Sequence, residues 1–294
     1  MTAGRFPPVP AHGWRLVVSD LDGTLLNEHG RLTPENIAAV ESLAEHGIGF
    51  TIATGRLDVM ARAFINQLDV RLPVISCNGA AIRDGRTGEF IYKKILPTAD
   101  LLELVDWLAE HKLDYLCYTP AEVYYPAGSR RIENFHRYNQ IARETGTEPV
   151  PLVLLTDDRR QLRQTEFIKT LAILNQPDEH QAMQAFLQDH PSLTGVLSWS
   201  DALDITAAGS SKGLGLTRLA DYLGIGLEEI AAFGDNDNDV SLLTAAGLGI
   251  AMANASEAAI AASQLMTDSH CASGVAAGIR KYILPGAPNQ PRQK

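Results

Sequence analysis

Four short segments of this chain contain the residue types that hydrolysis of a phosphate ester needs. In chain order they are Asp20-Leu21-Asp22-Gly23-Thr24, Thr54-Gly55-Arg56, Ser210-Ser211-Lys212-Gly213 and Gly234-Asp235-Asn236-Asp237-Asn238-Asp239. Together they offer a carboxylate nucleophile with a second acid beside it, a hydroxyl for the phosphate, a lysine to neutralise charge, and acidic ligands for a metal. A short motif alone matches many sequences by chance, so the prediction depends on all four occurring together.

Asp20 is the predicted nucleophile. A carboxylate can attack phosphorus to form an aspartyl-phosphate, which divides one difficult displacement into two easier ones. Asp22, two residues further on, is suited to donate a proton to the leaving alcohol and then to accept one from the attacking water. Taken alone, this segment could equally be an ordinary surface turn.

A dianionic phosphate repels a carboxylate nucleophile, so catalysis requires cations and hydrogen-bond donors aimed at the phosphoryl oxygens. The candidates are the Thr54 hydroxyl, the Gly55 amide and the Lys212 ammonium. The alternatives are a capping threonine at a helix entry and a solvated lysine in the first turn of a helix. A lysine at a helix N-terminus is disfavoured unless an anion lies nearby, and a bound phosphate would supply that anion.

Three aspartates lie within five residues of one another in the last segment: Asp235, Asp237 and Asp239. Mg²⁺ prefers oxygen ligands and is usually held by one or two carboxylates plus substrate phosphate. Asp20 and Asp235 are the predicted carboxylate ligands, and Asp239 is either a further ligand or an acceptor behind them. Asn238 could donate to the phosphate or orient the nucleophile. The segment lacks the glycine and the glutamate of a calcium-binding loop.

Strand and helix signals alternate around these segments. Buried strands are predicted at about 16–18, 48–53, 73–77, 230–233 and 248–252, and helices at about 34–46, 57–68, 212–223, 239–246 and 275–283. The first helix has Thr33 as N-cap, Pro34 at its first position and Gly47 as its stop. Such alternation predicts an α/β fold with a parallel sheet. Asp20, Thr54 and Asp235 would then follow strand ends, where open α/β sheets bind ligands.

The alternation stops after about Ala80 and returns at Ser211. Between them we predict a hairpin turn at 84–88, helices at about 99–112 and 178–188, and strands at 115–118, 123–125, 167–174 and around 196 and 203. This pattern predicts a discontinuous core domain, 14–83 and 204–284, with an inserted domain at 84–203. The insert is expected to act as a lid hinged near Ile82-Arg83 and Leu203–Thr206. Residues 1–13 and 285–294 are predicted to be flexible extensions.

The inserted segment offers weaker candidates for substrate contacts. Its tyrosines, among them Tyr115, Tyr118 and Tyr124, favour core packing over ligand binding. Arg130-Arg131 could hold an anionic group of a substrate, although a solvated helix start is favoured. The sequence therefore does not identify the substrate or the residues that select it.

Composition excludes several classes of protein. The chain of 294 residues is 45% hydrophobic with a formal net charge of −10, which argues against nonspecific nucleic-acid binding. No apolar run approaches the length of a membrane span. Three widely spaced cysteines favour reduced thiols in a cytoplasmic protein. We expect a small phosphorylated metabolite as partner, and protein partners and oligomeric state stay undetermined.

The four segments, in this order and with a large insertion between the second and third, resemble the haloacid dehalogenase (HAD) superfamily. Within it the chain is similar to the Cof-type, class IIB phosphatases. Matching stretches are Ser19–Leu26, Ile52–Arg56, Val74–Ala81, Ser211–Gly213 and Phe233–Asn254. The resemblance implies a Rossmann-like parallel-sheet core, an inserted mobile α/β cap of the C2B type, Mg²⁺ and a phosphorylated small-molecule substrate, expected to be a sugar phosphate.

The resemblance also implies roles for individual residues. It makes Asp20 the nucleophile and Asp22 the acid/base, with the Asp22 main-chain carbonyl as a further Mg²⁺ ligand. It places Thr54 and Lys212 at phosphate-binding positions, Asp235 at a metal position and Asn238 at a substrate-contacting one. The stretch Ser269–Gly274 departs from the acidic, Asn-rich sequence that is usual at this position in the family.

Other functions compete with hydrolysis. Phosphotransfer between substrates, as in a mutase, is compatible with the same core. A non-catalytic, phosphate-binding regulator is a second alternative, but the intact set of Asp20, Asp22, Lys212 and Asp235 argues against it. A phospho-accepting signalling receiver fits poorly, because such modules are small and need no inserted domain.

Overall fold

The computed structural model describes residues 13–144, 146–156, 159–199 and 201–284. The predicted flexible extensions, 1–13 and 285–294, lie outside these ranges apart from Gly13. None of the helices in the described ranges is long and apolar enough to cross a lipid bilayer. The three cysteines are all free, with Cys77 and Cys117 buried and Cys271 exposed.

Fourteen strands and ten α-helices lie in the described ranges. The strands are β1 Leu16–Ser19, β2 Gly49–Ile52, β3 Val74–Ser76, β4 Ala81–Arg83, β5 Phe90–Lys93, β6 Tyr115–Tyr118, β7 Val123–Tyr125, β8 Leu152–Leu154, β9 Lys169–Ile173, β10 Leu193–Trp199, β11 Ala202–Ala207, β12 Ile230–Gly234, β13 Leu248–Ala251 and β14 Leu265–Met266. The helices are α1 Pro34–Glu45, α2 Asp58–Gln67, α3 Thr98–Glu110, α4 Ile132–Glu144, α5 Arg160–Gln164, α6 Pro177–Asp189, α7 Lys212–Leu223, α8 Val240–Ala245, α9 Glu257–Ala262 and α10 Gly274–Gly278.

The first sheet is the predicted parallel one. Its five strands run in the order β14-β13-β12-β1-β2, and every neighbouring pair is parallel. Strand β1 lies between β12 and β2 and is buried along its whole length, as parallel strands with helices on both faces are. The α/β fold class is therefore confirmed, and Asp20 follows the carboxyl end of an interior strand of the sheet.

The first helix begins and ends where local chemistry requires. The Thr33 side chain accepts a hydrogen bond from the Asn36 amide at 3.2 Å, and Pro34 occupies the first helical turn. Gly47, just beyond the helix, has a φ of 72°, which a glycine adopts without steric cost. These predicted signals of α1 are confirmed.

Strand β3 differs from the expectation of one continuous parallel sheet. It pairs antiparallel with β4, which pairs with β5, in a separate three-stranded sheet. A parallel bridge between Ala53 and Ile75 connects it to the end of β2. The predicted Asn78-Gly79 turn does close the β3–β4 hairpin, and both residues have positive φ, 53° and 85°, as in hairpin turns that match the strand twist.

A second, larger sheet has the order β10-β11-β9-β6-β7-β8. One face is covered by α3 and α6, whose apolar residues form a cluster with the sheet. The other face belongs to a cluster that also contains Leu57, Cys77 and Ala80 from the parallel-sheet part of the chain. An apolar surface therefore packs the inserted sheet against the edge of the core that bears Asp20.

The connections between the two parts lie outside the expected hinges. Ile82-Arg83 lies in β4, and Leu203–Thr206 lies in β11, which is paired on both sides. Residues in such ladders cannot rotate freely, whereas 94–97 and 208–211 lie between regular elements. The two segments touch, because the Lys94 ammonium donates to the Ala208 carbonyl. The sequence predicts a helix start at Arg130-Arg131, and α4 begins directly after it, whereas β8, α5, α9 and β14 have no counterpart in the sequence predictions.

The turn at Gly79 generates a stability prediction. A Cβ at Gly79 would lie 1.9 Å from the Ser211 carbonyl oxygen, whereas one at Gly30, with a φ of 68°, would meet nothing within 4 Å. Gly30→Ala should therefore cost only the left-handed backbone strain, about 1 kcal/mol. Gly79→Ala adds a clash with main chain and should cost at least ~3 kcal/mol. Urea denaturation of the two variants measures the difference, and equal midpoints would contradict the close packing.

Candidate active site

The ends of three strands and the start of one helix bring the predicted residues together. Asp20 follows β1, and its amide donates to the Phe233 carbonyl of β12 at 3.0 Å. Thr54 follows β2, with its amide bonded to the Ile75 carbonyl at 2.9 Å. Asp235 follows β12, and Lys212 is the first residue of α7. Residues up to 215 positions apart thus meet at one sheet edge.

Lys212 is completely buried and holds two carboxylates. Its Nζ donates to Asp20 Oδ1 at 2.8 Å and to Asp239 Oδ1 at 2.6 Å. Burial alone would lower the pKa of Lys212, but the two carboxylates hold that pKa above its ordinary value. The lysine is therefore an ammonium inside the protein, and the alternative of a solvated lysine in the first turn of α7 is wrong.

Both carboxylate oxygens of Asp239 accept hydrogen bonds from groups of the protein. While Oδ1 accepts from Lys212, Oδ2 accepts from the main-chain amides of Asp235 at 3.0 Å and Asn236 at 3.1 Å. These bonds fix the loop that carries Asp235 relative to the lysine. Asp239 thus acts as a buried acceptor behind the site, one of the two positions that its sequence context allowed.

Asp20, Asp235 and Asp239 place one carboxylate oxygen each within 4.8 Å of one another. Burial, and then repulsion from Asp239, raises the pKa of Asp235 to about 7, against a hydrogen bond from the Thr24 hydroxyl at 2.6 Å. Burial also raises the pKa of Asp20 well above its ordinary value, although Lys212 opposes the shift. A hard divalent cation such as Mg²⁺ prefers oxygen ligands, and its charge would offset the repulsion among these three closely spaced carboxylates.

The close approach of the loop at Gly23 to Asp235 explains why the segment after Asp20 contains a glycine. Its φ is 77°, and a Cβ there would lie 2.3 Å from Asp235 Oδ2. The loop therefore approaches the second carboxylate so closely that only glycine fits. Thr24, which bonds Asp235, had not been assigned a role from the sequence, since its function is visible only once β1 and β12 are paired.

Asp22 is held by an arginine of the second motif. Arg56 donates from Nε to Asp22 Oδ2 at 2.7 Å and from Nη2 to Asp22 Oδ1 at 2.5 Å. From the sequence alone, Arg56 is interpreted only as part of a helix entry. No spacing rule links residues 34 positions apart, so only the fold could reveal this pair.

Of the four predicted phosphate-binding residues, Gly55 and Asn238 line the cavity beside Asp20, whereas Thr54 and Lys212 are buried. Thr54 is 1% exposed, and its hydroxyl accepts from the Arg56 amide at 3.1 Å. The Asn238 side-chain nitrogen donates to Asn78 Oδ1 at 3.0 Å, and its Oδ1 is buried without a hydrogen-bond partner among the described residues. That atom is available to a ligand donor.

A buried ion pair joins the inserted sheet to this rim. The Lys169 Nζ of β9 lies 2.8 Å from Asp204 Oδ1 of β11 and donates to the Gly55 carbonyl at 2.8 Å. The Asn78 amide nitrogen donates to Asp204 Oδ2 at 2.8 Å. Removing one member of such a pair leaves a buried charge uncompensated, so the network ties the insert to the core beside the phosphate-binding loop.

The cavity over Asp20 and Asp22 has a volume of about 140 Å³ and is lined by residues of both the core and the inserted domain. From that domain it is lined by Tyr118, Arg131, Asn134, Phe135, Tyr138, Lys169, Leu171, Ser198 and Asp204. Three of these residues, Asn134, Phe135 and Tyr138, lie on one face of α4, and Arg131 directly precedes the helix. The predicted helix start is therefore present, with Arg130 exposed as expected, but Arg131 is partly buried and lines the cavity.

The atypical stretch Ser269–Gly274 lies beside the nucleophile loop without facing the cavity. The His270 amide donates to Asn254 Oδ1 at 3.0 Å, and the Asn254 side-chain nitrogen donates to the Gly23 carbonyl at 2.9 Å. Ser273 bonds the Thr33 hydroxyl at 2.8 Å. These contacts support the loop from behind.

The chain matches the family model of haloacid dehalogenase-like hydrolases over residues 17–279. It belongs to this family. The pyridoxal phosphate phosphatase YbhA of Escherichia coli (strain K12) is 29% identical over 277 residues, covering 92% of this chain and 99% of that protein. The 5-amino-6-(5-phospho-D-ribitylamino)uracil phosphatase YwtE of Bacillus subtilis (strain 168) is 29% identical over 283 residues, covering 89% and 96%.

Solved structures agree with the fold. A haloacid dehalogenase-like hydrolase from B. subtilis has a TM-score of 0.80 at 28% identity, covering 92% of this chain and all of that chain. The HAD subclass IIB sugar phosphatase BT4131 has a TM-score of 0.76 at 23% identity, covering 89% and 96%. The resemblance to class IIB, Cof-type phosphatases is confirmed, and the chain is a phosphatase of small phosphorylated metabolites.

The carboxylate cluster generates a prediction about metal and stability. In the metal-free protein, Asp235→Asn removes the repulsion between Asp235 and the neighbouring carboxylates. We expect this to raise Tm by about 2–4 °C for each kcal/mol by which the folded state is stabilised. In the parent, Mg²⁺ should raise Tm by binding the folded state, and Asp235→Asn should lose that response. The exposed Asp237→Asn, from the same loop, should keep it. Thermal melts with Mg²⁺ and with EDTA measure both effects, and an unchanged Mg²⁺ response in Asp235→Asn would contradict the site.

Proposed function

We propose that this phosphatase hydrolyses phosphate monoesters in two steps through an aspartyl-phosphate on Asp20, with Mg²⁺ as cofactor. The observation that supports this most directly is the bonding of Lys212. Its ammonium occupies Asp20 Oδ1, which leaves Oδ2 for attack on phosphorus and places a fixed cation beside the incoming phosphoryl group. Such preorganised charge is usually the largest contribution to catalysis of this kind.

In the first step, a bond forms between Asp20 Oδ2 and phosphorus while the ester P–O bond breaks. The leaving oxygen takes its proton from Asp22, which lines the same cavity. Lys212, the Thr54 hydroxyl, the Gly55 amide and the Asn238 side chain are assigned to the phosphoryl oxygens. In the second step Asp22 accepts a proton from water as the water oxygen attacks phosphorus, and the Asp20 carboxylate is released.

Asp20, Asp235 and the main-chain carbonyl of Asp22 are the proposed ligands of Mg²⁺, with Asp239 behind them. The bound ion would offset the negative charge that gathers between the nucleophile and the phosphoryl group. The chain itself contributes the fixed positions: Thr24 orients Asp235, and Asp239 anchors the loop through two amides.

The substrate is proposed to be a small phosphate ester, and sugar phosphates remain the expectation from the sequence. Two relatives are named as phosphatases of pyridoxal phosphate and of 5-amino-6-(5-phospho-D-ribitylamino)uracil. These two compounds therefore belong in the test panel beside sugar phosphates. A mutase would return phosphate to a second substrate, whereas hydrolysis releases inorganic phosphate. Measuring phosphate release from the panel, with and without EDTA, separates the two activities.

The inserted domain is proposed to act as a lid that is hinged at 94–97 and 208–211. It contributes residues to the lining of the cavity, and its contacts with the core include the Lys169 bond to the Gly55 carbonyl. Water must be excluded from the first step and admitted in the second, which lids accomplish in many enzymes.

Substitution of the nucleophile provides the direct test. Asp20→Asn should lower kcat by at least about 10³-fold, because a carboxamide does not attack phosphorus. The exposed Asp237→Asn is the matched control and should stay within tenfold, about 1.4 kcal/mol. Folding of each variant is checked by its thermal melt. Retention of phosphate release by Asp20→Asn within tenfold of the parent would rule out the proposed intermediate.

Closure of the lid predicts a change in hydrogen exchange. With Mg²⁺ and orthovanadate, a mimic of the transferring phosphoryl group, amides at 94–97 and 208–211 should exchange more slowly than in the ligand-free protein. Amides of the remote turn at Asn27–Gly30 serve as the control and should not change. Equal exchange of the connecting segments in both states would show that the insert does not move.

A further inference from the structure

The acid/base carboxylate depends on one other side chain for its orientation. Arg56 contacts both oxygens of Asp22 in a forked arrangement, at 2.7 Å and 2.5 Å. Two parallel bonds fix the plane of a carboxylate, which a single bond does not. Among the described residues, Arg56 supplies both hydrogen bonds that the Asp22 carboxylate accepts.

Arg56 is itself held from several directions. Its amide donates to the Thr54 hydroxyl at 3.1 Å, and its carbonyl accepts from the Cys77 amide at 2.9 Å. The guanidinium lies over two aromatic rings, 5.6 Å from the centre of Phe64 and 5.0 Å from the centre of Tyr138. The side chain is 12% exposed, so its position is determined by packing as well as by charge.

The two rings belong to different parts of the molecule. Phe64 lies on α2, in the core, whereas Tyr138 lies on α4, in the inserted domain. The arginine that orients Asp22 is therefore completed by a ring from the lid. If the insert moved away, Arg56 would keep Phe64 and lose Tyr138.

The fork leaves Asp22 able to transfer a proton. A carboxylate has about four lone-pair sites, and Arg56 occupies one on each oxygen. The remaining sites are open to the cavity, which both residues line. As the ester P–O bond breaks, the proton passes from an open site of Asp22 to the leaving oxygen, and the bonds from Arg56 persist.

On this basis we propose that Arg56 is a positioning residue for proton transfer to the leaving group, and that Tyr138 couples its position to closure of the lid. The proposal rests on the proposed function, because it requires Asp22 to act as the acid. It assigns the conformation of the acid to a pair of residues, one from the core and one from the insert.

A leaving-group series distinguishes this role from a structural one. p-Nitrophenyl phosphate releases a stable phenolate and needs little protonation, whereas an alkyl phosphate needs a proton as its bond breaks. Arg56→Met keeps the length of the stem and removes the donors. Its kcat/KM should fall on both esters, but about 10²-fold further on the alkyl ester, the contribution expected of a general acid. Asp22→Asn supplies the reference pattern.

Further variants keep the test decisive if Arg56→Met does not fold. Arg56→Lys retains the buried charge but offers no fork, so it should show an intermediate dependence on the leaving group. Tyr138→Leu removes the ring that the lid contributes. Its loss of kcat/KM should also be larger on the alkyl ester than on p-nitrophenyl phosphate, but by a smaller factor than in Arg56→Met. Tyr138→Phe keeps the ring and is the matched control, with the slope of the parent. Thermal melts accompany each variant.

The outcomes separate this inference from the proposed function. If Arg56→Met and Arg56→Lys lost kcat/KM equally on all esters, while the loss in Asp22→Asn depended steeply on the leaving group, the inference alone would be overturned. A flat series in Asp22→Asn would overturn the acid role and the inference together. A slope in Tyr138→Leu equal to that of Tyr138→Phe would remove the coupling to the lid.

Discussion

The buried ammonium of Lys212 is the interaction on which the active site depends. A lysine without solvent contact is stable only where carboxylates surround it, and here Asp20 and Asp239 do so at 2.8 and 2.6 Å. The same two bonds fix Asp20, the proposed nucleophile, and also the loop of Asp235, because Asp239 accepts a hydrogen bond from the Asp235 amide. Three segments far apart in sequence are thereby held together by one cation.

The surplus of negative charge has a consequence for function. Three carboxylates share one lysine, and burial raises the pKa of Asp20 and of Asp235. A folded protein tolerates such a cluster when a ligand offsets it, and sites of this kind concentrate where catalysis occurs. The acidic cluster, the open Asn238 oxygen and the cavity all lie at the same edge of the sheet.

The second constraint is the junction between the two sheets. The insert does not merely cover the cavity, since Lys169 bonds the Gly55 carbonyl and Tyr138 contacts Arg56. Both contacts reach residues of the Thr54-Gly55-Arg56 motif. The strand end that carries the proposed phosphate-binding groups is therefore also where the inserted domain contacts the core.

The sequence by itself determined the α/β class, the four motifs and the helix boundaries set by local chemistry, such as Thr33 and Gly47. Caps, turns and strand periodicity depend on neighbours in the chain, so they can be predicted without the fold. Only the tertiary structure determined the two hydrogen bonds from Arg56 to Asp22, the Lys169–Asp204 ion pair and the position of Arg131 at the cavity. These contacts join residues with no fixed spacing, and their energies arise only when packing removes the groups from water.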